Sequence, residues 1–304
     1  MKNKTFYSHG KLLISGEYVI LDGALSLALP TKKGQSLTIE PLDNNSILWE
    51  SYDENETLWY KGEFKIHNNL KITSKSEDDT SKRLIQIFHT IADLNPNVFK
   101  NQKGFKAITK LEFPTNWGLG TSSTLINNLA QYACVNPYKL LEMTFGGSGY
   151  DIACAQNDTS ITYKLNGKTP VIVPVDFNPD FKNHLFFVHL NKKQNSREGI
   201  KHYKAYRSHI EPKLKEISLL TQQILDSKTL THFEALIEKH ETIIAEVTKQ
   251  TSVKTLFFSD FPGSIKSLGA WGGDFILAAS KENPTSYFKQ KGFHTIIAYQ
   301  DMIL

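Results

Sequence analysis

The first third of the chain alternates between apolar and polar positions, which is the pattern of strands with one buried face. Asp-Gly and Asn-Asn pairs fall between several of these runs and predict turns. The predicted strands are Lys11–Ser15, Gly23–Leu29, Ser36–Pro41, Ser46–Trp49 and Thr57–Lys61. We therefore expect the chain to begin in a sheet.

Beyond the polar stretch 73–80, apolar residues recur at helical spacing and predict a helix. The apolar positions are Leu84, Ile85, Phe88, Ile91 and Ala92, and the expected N-cap is Thr80 or Ser81. Phe105–Phe113 then alternates as a strand that Pro114 ends. A glycine-rich loop follows, and a second helix is predicted from about Ser122.

The second half of the chain adds strands and two long amphipathic helices. The strands are Ser160–Leu165, Pro170–Val175, His184–Leu190, Asp274–Ser280 and Phe293–Tyr299, and the helices are His202–Leu225 and Thr231–Thr248. Pro and Asn interrupt the pattern near 178–183, so we expect one domain at residues 1–180 and another at 181–304. Because no regular βαβ repeat occurs, the predicted fold class is α+β.

Composition restricts the class of partner. The 304 residues carry 35 Lys and Arg against 31 Asp and Glu, a formal charge of +4. This small, dispersed excess suits an anionic small molecule and does not indicate nucleic acid. The first residues lack the apolar core of a signal peptide, and no run of about 18 apolar residues predicts a membrane span. We expect a cytoplasmic protein with neither a membrane nor a nucleic-acid partner.

The glycine-rich loop at 114–123 has the residue types that a phosphate site needs. Gly118 and Gly120 allow backbone conformations that side chains disfavour, and they let amide groups approach an anion closely. A helix that starts at Ser122 offers unpaired N–H groups and the positive end of its dipole. The adjacent hydroxyl residues can bind phosphate oxygens or Mg²⁺. Taken alone, the segment also suits a glycine turn with a Ser/Thr helix cap.

The loop matches neither of two common phosphate motifs. No lysine follows Gly120, as a Walker A loop requires, and the glycine spacing is not that of a dinucleotide-binding fingerprint.

Two carboxylates lie beyond this loop. Asp151 follows the glycine turn 146–149, where a carboxylate can orient or deprotonate a nucleophile at a γ-phosphate. The alternative is that Asp151 caps a helix beginning at Ile152. Glu142 is a candidate Mg²⁺ ligand, or otherwise a solvated helix charge.

Lys11 stands where the first predicted strand begins. A lysine there can lower the pKa of an acid such as Asp151, or stabilise phosphoryl charge. The alternative is an exposed lysine at a strand edge. A last glycine loop, 267–274, ends in Asp274, for which metal binding, turn capping and contact with a lysine stay open.

Four segments, in this order, resemble the motifs of the GHMP kinases, the family of galactokinase, homoserine kinase, mevalonate kinase and phosphomevalonate kinase. They are S-H-G-K-L-L-I-S-G-E-Y-V-I-L-D-G at 8–23, P-T-N-W-G-L-G-T-S-S-T at 114–124, G-S-G-Y-D at 147–151 and L-G-A-W-G-G-D at 268–274. The resemblance spans nearly the whole chain, and the joint order is more specific than any one segment.

The resemblance implies a two-lobed fold. Its N-terminal lobe is expected to be similar to ribosomal protein S5 domain 2, and its C-terminal lobe to be ferredoxin-like. It also implies direct in-line transfer of the γ-phosphoryl group of ATP, with Mg²⁺, to a small alcohol or phosphate acceptor. The oligomeric state is expected to be monomer or homodimer.

The resemblance also implies residue roles. Asp151 and Lys11 are the expected catalytic residues, and Ser122 and Glu142 the expected metal ligands. The expected ATP-binding residues are Gly118, Leu119, Gly120, Thr121, Ser122 and Ser123. The expected substrate contacts are Glu17, Lys192, Lys193, Ser196, Arg197, Gly272 and Gly273, among which the basic segment 191–197 suits a strongly anionic acceptor.

Within the family, the chain looks most like the phosphomevalonate kinase branch, and next like mevalonate kinase. It departs from the family pattern at Ser8-His9, where Ala-Pro is usual, at Thr121, and at Trp271, where a small residue is usual. These departures leave open a kinase for another small alcohol, such as a sugar or homoserine. A non-catalytic nucleotide-binding protein on the same scaffold also stays open, because a fold does not guarantee a function.

Overall fold

The computed structural model describes residues 3–304, and the side chains of Asn101, Gln102 and Ser196 lie outside that description. The chain divides into two compact units, neither of which is continuous in sequence. The first unit contains the residues up to Gly10, Lys33–Thr115 and Gly120–Gln156, and the second contains Lys11–Lys32, Asn116–Leu119 and Asn157–Leu304. The predicted lobe ranges 1–180 and 181–304 stay a prediction.

Twelve strands and ten α-helices are present among the described residues. The strands are β1 (Lys4–Ser15), β2 (Ser26–Pro41), β3 (Ser46–Tyr52), β4 (Leu58–Ile66), β5 (Ile72–Ser74), β6 (Phe105–Leu111), β7 (Ile161–Asn166), β8 (Thr169–Pro174), β9 (Leu185–His189), β10 (Ser264–Ser267), β11 (Phe275–Ala279) and β12 (Ile296–Ala298). The helices are α1 (Asp79–Leu94), α2 (Thr121–Ala133), α3 (Pro137–Thr144), α4 (Tyr150–Ala155), α5 (Ser196–Tyr206), α6 (Glu211–Asp226), α7 (Leu230–Thr248), α8 (Val253–Phe257), α9 (Thr285–Gln290) and α10 (Tyr299–Met302). This mixture confirms the predicted α+β class.

In the first unit, the strands pair in the order β5-β4-β3-β6-β2. The β3–β6 pair is parallel and the other pairs are antiparallel. Apolar residues of these strands and of helices α1 and α2 form one buried core. Phe88 of α1 makes ring contacts with Trp49, Phe64 and Phe105 of three strands, so the aromatic side chains fix this helix against the sheet.

In the second unit, the beginning of β2 pairs with β7, and β7 pairs with β8. A separate antiparallel sheet has the order β10-β11-β9-β12. Every residue of β9 and β11 is buried. These strands therefore read as continuous apolar runs, without the alternation of a half-exposed strand.

Several predicted boundaries were wrong, each for a local reason. Residues 26–29 and 36–41 belong to one strand, β2, which runs without a break through Pro30 and Gly34. The predicted helix 202–225 is two helices, and Pro212 stands in the first turn of the second one, where its missing N–H costs nothing. The N-cap of α1 is Asp78, whose carboxylate accepts the Ser81 N–H at 2.8 Å.

Within residues 3–304, none of the helices has both the length and the apolar character that crossing a bilayer demands.

Candidate active site

Helix α2 begins at Thr121, inside the predicted phosphate loop. Gly118 has φ of 67° and Gly120, the N-cap residue, has φ of 95°. Both values lie in the left-handed region that favours glycine. Of the side chains that the structure describes, none caps this helix, so the N–H groups of its first turn are left for another acceptor, such as an anion.

The hydroxyl residues at the start of α2 point to different partners. Ser123 Oγ donates to Gly120 O at 2.8 Å, and Thr124 Oγ1 donates to Gln35 Oε1 at 2.6 Å. Ser122 is exposed. The serine predicted to contact Mg²⁺ and phosphate is therefore the one that faces solvent, whereas the Ser123 hydroxyl stabilises the turn of the loop.

A buried polar network in the first unit supports the same helix. Ser8 Oγ donates to Asn128 Oδ1 at 2.7 Å and accepts from Asn127 Nδ2 at 2.9 Å. Asn128 Nδ2 donates to Gln35 O at 2.9 Å. All four side chains are buried. In the sequence Ser8 stands out only as a departure from the family pattern, and the signal for its partners is the pair of asparagines, Asn127 and Asn128, within an otherwise apolar helix face.

Lys11 lies against the first half of the glycine loop within the second unit. Its Nζ donates to Gly118 O at 2.7 Å, and its backbone N–H donates to Leu119 O at 3.0 Å. This contact holds the Gly118 carbonyl in place. The expected role of Lys11 in catalysis stays a prediction.

Residues of the four-stranded sheet hold the segment just before Gly118. His189 Nε2 lies 3.1 Å from Asn116 O, so the ring donates to this carbonyl in the tautomer that carries its proton on Nε2. The Trp117 ring meets the Phe275 ring edge-on at 5.4 Å between centroids. The loop is therefore fixed to β9 and β11 by the hydrogen bond of His189 and by ring contacts of Trp117 with His189 and Phe275.

The basic segment and the last glycine loop lie together in the second unit. A Cβ on Gly273 would lie 2.8 Å from Lys192 O, so this glycine allows a close backbone approach. Lys192, Lys193 and Arg197 are exposed. Lys192 and Lys193 precede α5, and Arg197 lies in its first turn. The first residue of α5 is Ser196, a predicted substrate contact whose side chain lies outside the described part of the structure.

Gly272 and Trp271 differ in their surroundings. A Cβ on Gly272 would meet no atom within 4 Å, although its φ of 84° favours glycine. The Trp271 side chain is only 1% exposed. The tryptophan that departs from the family pattern is thus a buried side chain of the second unit.

Asp151 lies in the first turn of the short helix α4, after Gly149 at φ of 86°. The N-cap is Gly149, so the alternative that Asp151 caps a helix beginning at Ile152 is not what the structure has. Burial raises the pKa of the Tyr138 phenol to about 12, and the negative charge of Asp151 contributes to that rise. A tyrosine on α3 therefore lies within electrostatic reach of this carboxylate.

Glu142 is a surface residue of α3. Its carboxylate accepts from Lys139 Nζ at 3.0 Å, and its side chain is 44% exposed. Ser122, Glu142 and Asp151 thus lie on three separate helices of the first unit. Among the described residues, no group of three or more His, Cys, Asp or Glu side chains could hold a metal ion.

Glu17 lies in a buried charged network that the sequence did not predict. Lys266 Nζ donates to Glu17 Oε1 at 2.5 Å and to Glu241 Oε1 at 3.4 Å, and Ser267 Oγ donates to Glu241 Oε2 at 2.9 Å. Burial raises the pKa of Glu17 and raises that of Glu241 to about 7, against the opposing charge of Lys266. The substrate role of Glu17 stays a prediction, but its observed partners are internal.

His240 completes this network as a neutral ring. Its Nε2 accepts the Gly16 N–H at 2.9 Å, so the ring proton is on Nδ1. Burial and the nearby charge of Lys266 lower the His240 pKa well below its ordinary value. The 3.5 Å approach of Nε2 to Glu17 Oε2 is therefore not an ion pair.

The fold is similar to solved kinase structures, although the sequence stands apart: no protein-family model and no curated protein matches it. Mevalonate kinase from Methanococcus jannaschii is 14% identical, with a TM-score of 0.69 and coverage of 97% of each chain. Phosphomevalonate kinase from Streptococcus pneumoniae, in complex with phosphomevalonate and AMPPNP, is 15% identical, with a TM-score of 0.68 and coverage of 96% of each chain.

A third similar structure is galactokinase from Lactococcus lactis, complexed with galactose. It is 16% identical with a TM-score of 0.64, and the match covers 95% of this chain and 88% of the galactokinase. These three proteins act on different acceptors but share one architecture. The chain therefore has the fold of the GHMP kinases.

Proposed function

We propose that this protein is an ATP-dependent small-molecule kinase that transfers the γ-phosphoryl group to phosphomevalonate, or to mevalonate. The observation that carries this proposal is the uncapped start of α2 directly after two left-handed glycines. Such a start offers several amide N–H groups and a helix dipole to a triphosphate. Similarity in fold to a phosphomevalonate kinase that binds AMPPNP supports it.

The amides from Gly118 to Ser123 are proposed to hold the phosphates of ATP, with the exposed Ser122 hydroxyl beside them. Mg²⁺, when bound, neutralises charge on the phosphate oxygens. Because Mg²⁺ commonly takes only one or two protein ligands and completes its shell with phosphates and water, the absence of a larger acidic cluster in residues 3–304 fits this cation. Ser122 and Glu142 are the proposed protein ligands.

Asp151 is proposed to orient the acceptor, and Lys11 to stabilise the transferring charge. An acceptor oxygen forms a bond to the γ-phosphorus, the bond from that phosphorus to the β–γ bridging oxygen breaks, and ADP leaves. When the acceptor is a hydroxyl, its proton passes to the Asp151 carboxylate. A phosphate acceptor is largely ionised above its second pKa of about 6, so it needs orientation and no proton removal.

The choice of phosphomevalonate as the proposed acceptor rests on the positive charge of the basic segment. Lys192, Lys193 and Arg197 are three exposed cations within six residues, and phosphomevalonate is strongly anionic. A sugar acceptor is the second candidate, favoured by the similarity in fold to a galactokinase complexed with galactose. The cations separate the two candidates, because a neutral sugar gains little from them.

A coupled assay of ADP release tests the proposal. Purified protein is mixed with ATP, Mg²⁺ and, in turn, phosphomevalonate, mevalonate, galactose and homoserine, and each reaction is compared with ATP alone. We expect the highest kcat/KM with phosphomevalonate. If galactose or homoserine gives the higher kcat/KM, that compound becomes the assigned acceptor in place of phosphomevalonate. If no acceptor raises ADP release above background, the kinase assignment fails.

A further inference from the structure

Asp274 is held in an unusual backbone conformation by the basic segment. Its φ is 52°, in the left-handed region that few residues with side chains adopt. Its N–H donates to Lys192 O at 2.7 Å, and its carbonyl accepts the Leu190 N–H at 2.8 Å. The side-chain Oδ1 accepts the Gln194 N–H at 3.1 Å. Three hydrogen bonds therefore fix both the backbone and the carboxylate.

The same carboxylate lies directly against Gly118. A Cβ on Gly118 would be 2.4 Å from Asp274 Oδ2 and 2.4 Å from its Cγ. Only a residue without a side chain allows this approach. The Gly118 carbonyl, on the same residue, accepts from Lys11 Nζ. Asp274 and Lys11 thus both hold Gly118, the first by contact and the second by a hydrogen bond.

The charges around Asp274 come from three segments. Burial raises the pKa of its carboxyl, whereas the Gln194 N–H and the charges of Lys11, His189 and Lys193 lower it. Tyr18 also lies within electrostatic reach, because Asp274 contributes to the rise of the Tyr18 pKa to about 12. Lys11, His189 and Lys193 therefore face one partly buried carboxylate from β1, β9 and the basic segment.

We infer that Asp274 is a positioning residue, which fixes the Lys11 ammonium against Gly118 and so sets the shape of the glycine loop for phosphoryl transfer. This inference rests on the proposed kinase function. A carboxylate beside a phosphate loop weakens anion binding by charge repulsion, so its presence requires another benefit. Lys11 is a long, flexible side chain, and a fixed negative partner reduces the number of positions that its ammonium occupies.

The test uses Asp274→Asn, which keeps an oxygen for the Gln194 N–H and removes the charge. Its comparisons are Lys11→Met, the double variant, and Asp226→Asn as a control that removes one exposed acid from the same unit. We expect Asp274→Asn to lower kcat about 10- to 100-fold through misplacement of Lys11. The Kd for AMPPNP should stay the same or fall, because repulsion is relieved.

The double variant separates positioning from a general structural role. If Asp274 acts through Lys11, the double variant turns over as slowly as Lys11→Met alone, and the two losses do not multiply. Multiplied losses, or an unchanged kcat in Asp274→Asn, would overturn the inference. Asp226→Asn should keep the kcat of the unmodified protein.

A second readout does not depend on turnover. Urea unfolding of the nucleotide-free single and double variants forms a thermodynamic cycle for the same pair. Non-additive changes in the unfolding midpoint are expected, and additive changes would reject the electrostatic coupling between Lys11 and Asp274. If the unmodified protein shows no turnover but the changes are non-additive, the kinase proposal fails while the coupling between Lys11 and Asp274 stands.

Discussion

Ser8 and Asn128 are joined by a buried hydrogen bond of 2.7 Å, although 120 positions separate them in sequence. The bond ties β1 to the helix whose first turn is the proposed nucleotide site. Ser8 also accepts from Asn127, so one hydroxyl serves two amide side chains. Ser8, which departs from the family pattern, therefore has two hydrogen-bond partners on α2.

Replacement of Ser8 by Ala should destabilise the protein by about 1–3 kcal/mol, because it leaves two buried amide groups with lost partners. A smaller loss of AMPPNP affinity is also expected, because α2 loses its hydrogen bonds to Ser8. Urea unfolding measures the change in stability, and titration calorimetry measures the change in affinity. Ser208→Ala, at an exposed position, is the control. Equal stability of the two variants would show that the bond contributes nothing.

Gly118→Ala and Gly146→Ala form a matched pair, since their φ values are 67° and 70°. Both variants carry the same left-handed strain, of about 1 kcal/mol or more. Only at position 118 would the new methyl group collide with Asp274. We expect Gly118→Ala to lose more stability and to bind AMPPNP at least about tenfold more weakly, or about 1.4 kcal/mol. Indistinguishable variants would contradict the close approach.

The buried carboxyl of Glu241 should make stability depend on pH. Its pKa is about 7 in the folded protein against an ordinary 4.5, so the folded state keeps the proton over a range where the unfolded chain has lost it. The contribution to the unfolding free energy is present below pH 4.5 and is lost as pH rises to about 7. Its size is on the order of 3 kcal/mol, at 1.36 kcal/mol per pKa unit.

Urea unfolding of the unmodified protein and of Glu241→Gln, at half-unit steps from pH 5 to 8, isolates this contribution. His240 acts in the opposite direction, because its lowered pKa favours the folded state as pH rises towards 6.5. Subtracting the unfolding free energy of Glu241→Gln from that of the unmodified protein at each pH removes the contribution of His240. We expect the unmodified protein to lose stability relative to Glu241→Gln as pH rises, and a constant difference would contradict the prediction.

Asp151→Ala should lower phosphoryl transfer by several orders of magnitude while AMPPNP still binds. Asp151→Asn, which keeps the shape of the side chain, should reduce transfer to a hydroxyl acceptor about 10²- to 10⁴-fold, the usual contribution of a general base. The reduction should be smaller for a phosphate acceptor, which has no proton to lose. Single-turnover kinetics with a hydroxyl acceptor and with a phosphate acceptor measure the two reductions in transfer rate.

Asp93→Asn, which neutralises an exposed acid on α1, is the control for charge. Turnover by Asp151→Ala close to that of the unmodified protein would exclude the catalytic role.

Local pattern was sufficient for the parts of the fold that short segments determine. The loop that leads into α2 was predicted because glycine and hydroxyl residues at a helix start have a direct physical meaning. The break between α5 and α6 was missed because apolar spacing continues through it. Segments 23–29 and 36–41 were predicted as separate strands, but one strand, β2, runs through both Pro30 and Gly34, and pairs with β7 near its start and with β6 near its end.

The candidate site was predictable where one segment contains its chemistry and unpredictable where distant segments meet. Lys11 and Gly118 were named separately, and the motif order suggested that they belong together. Lys266 was not named, because nothing local marks a lysine as fully buried. Its partner Glu17 lies 249 positions away, and only the folded chain brings the two together.

The network of Lys266, Glu17, Glu241 and His240 also has an evolutionary consequence. A substitution that removes one member of this network leaves a buried charge with neither a partner nor water, which strongly destabilises the folded protein. Replacing all of the members by apolar side chains of similar volume costs little stability. Related proteins should therefore differ here by concerted replacement, with intermediate sequences rare. Positions 17 and 266 should covary across an alignment, even though they lie at opposite ends of the chain.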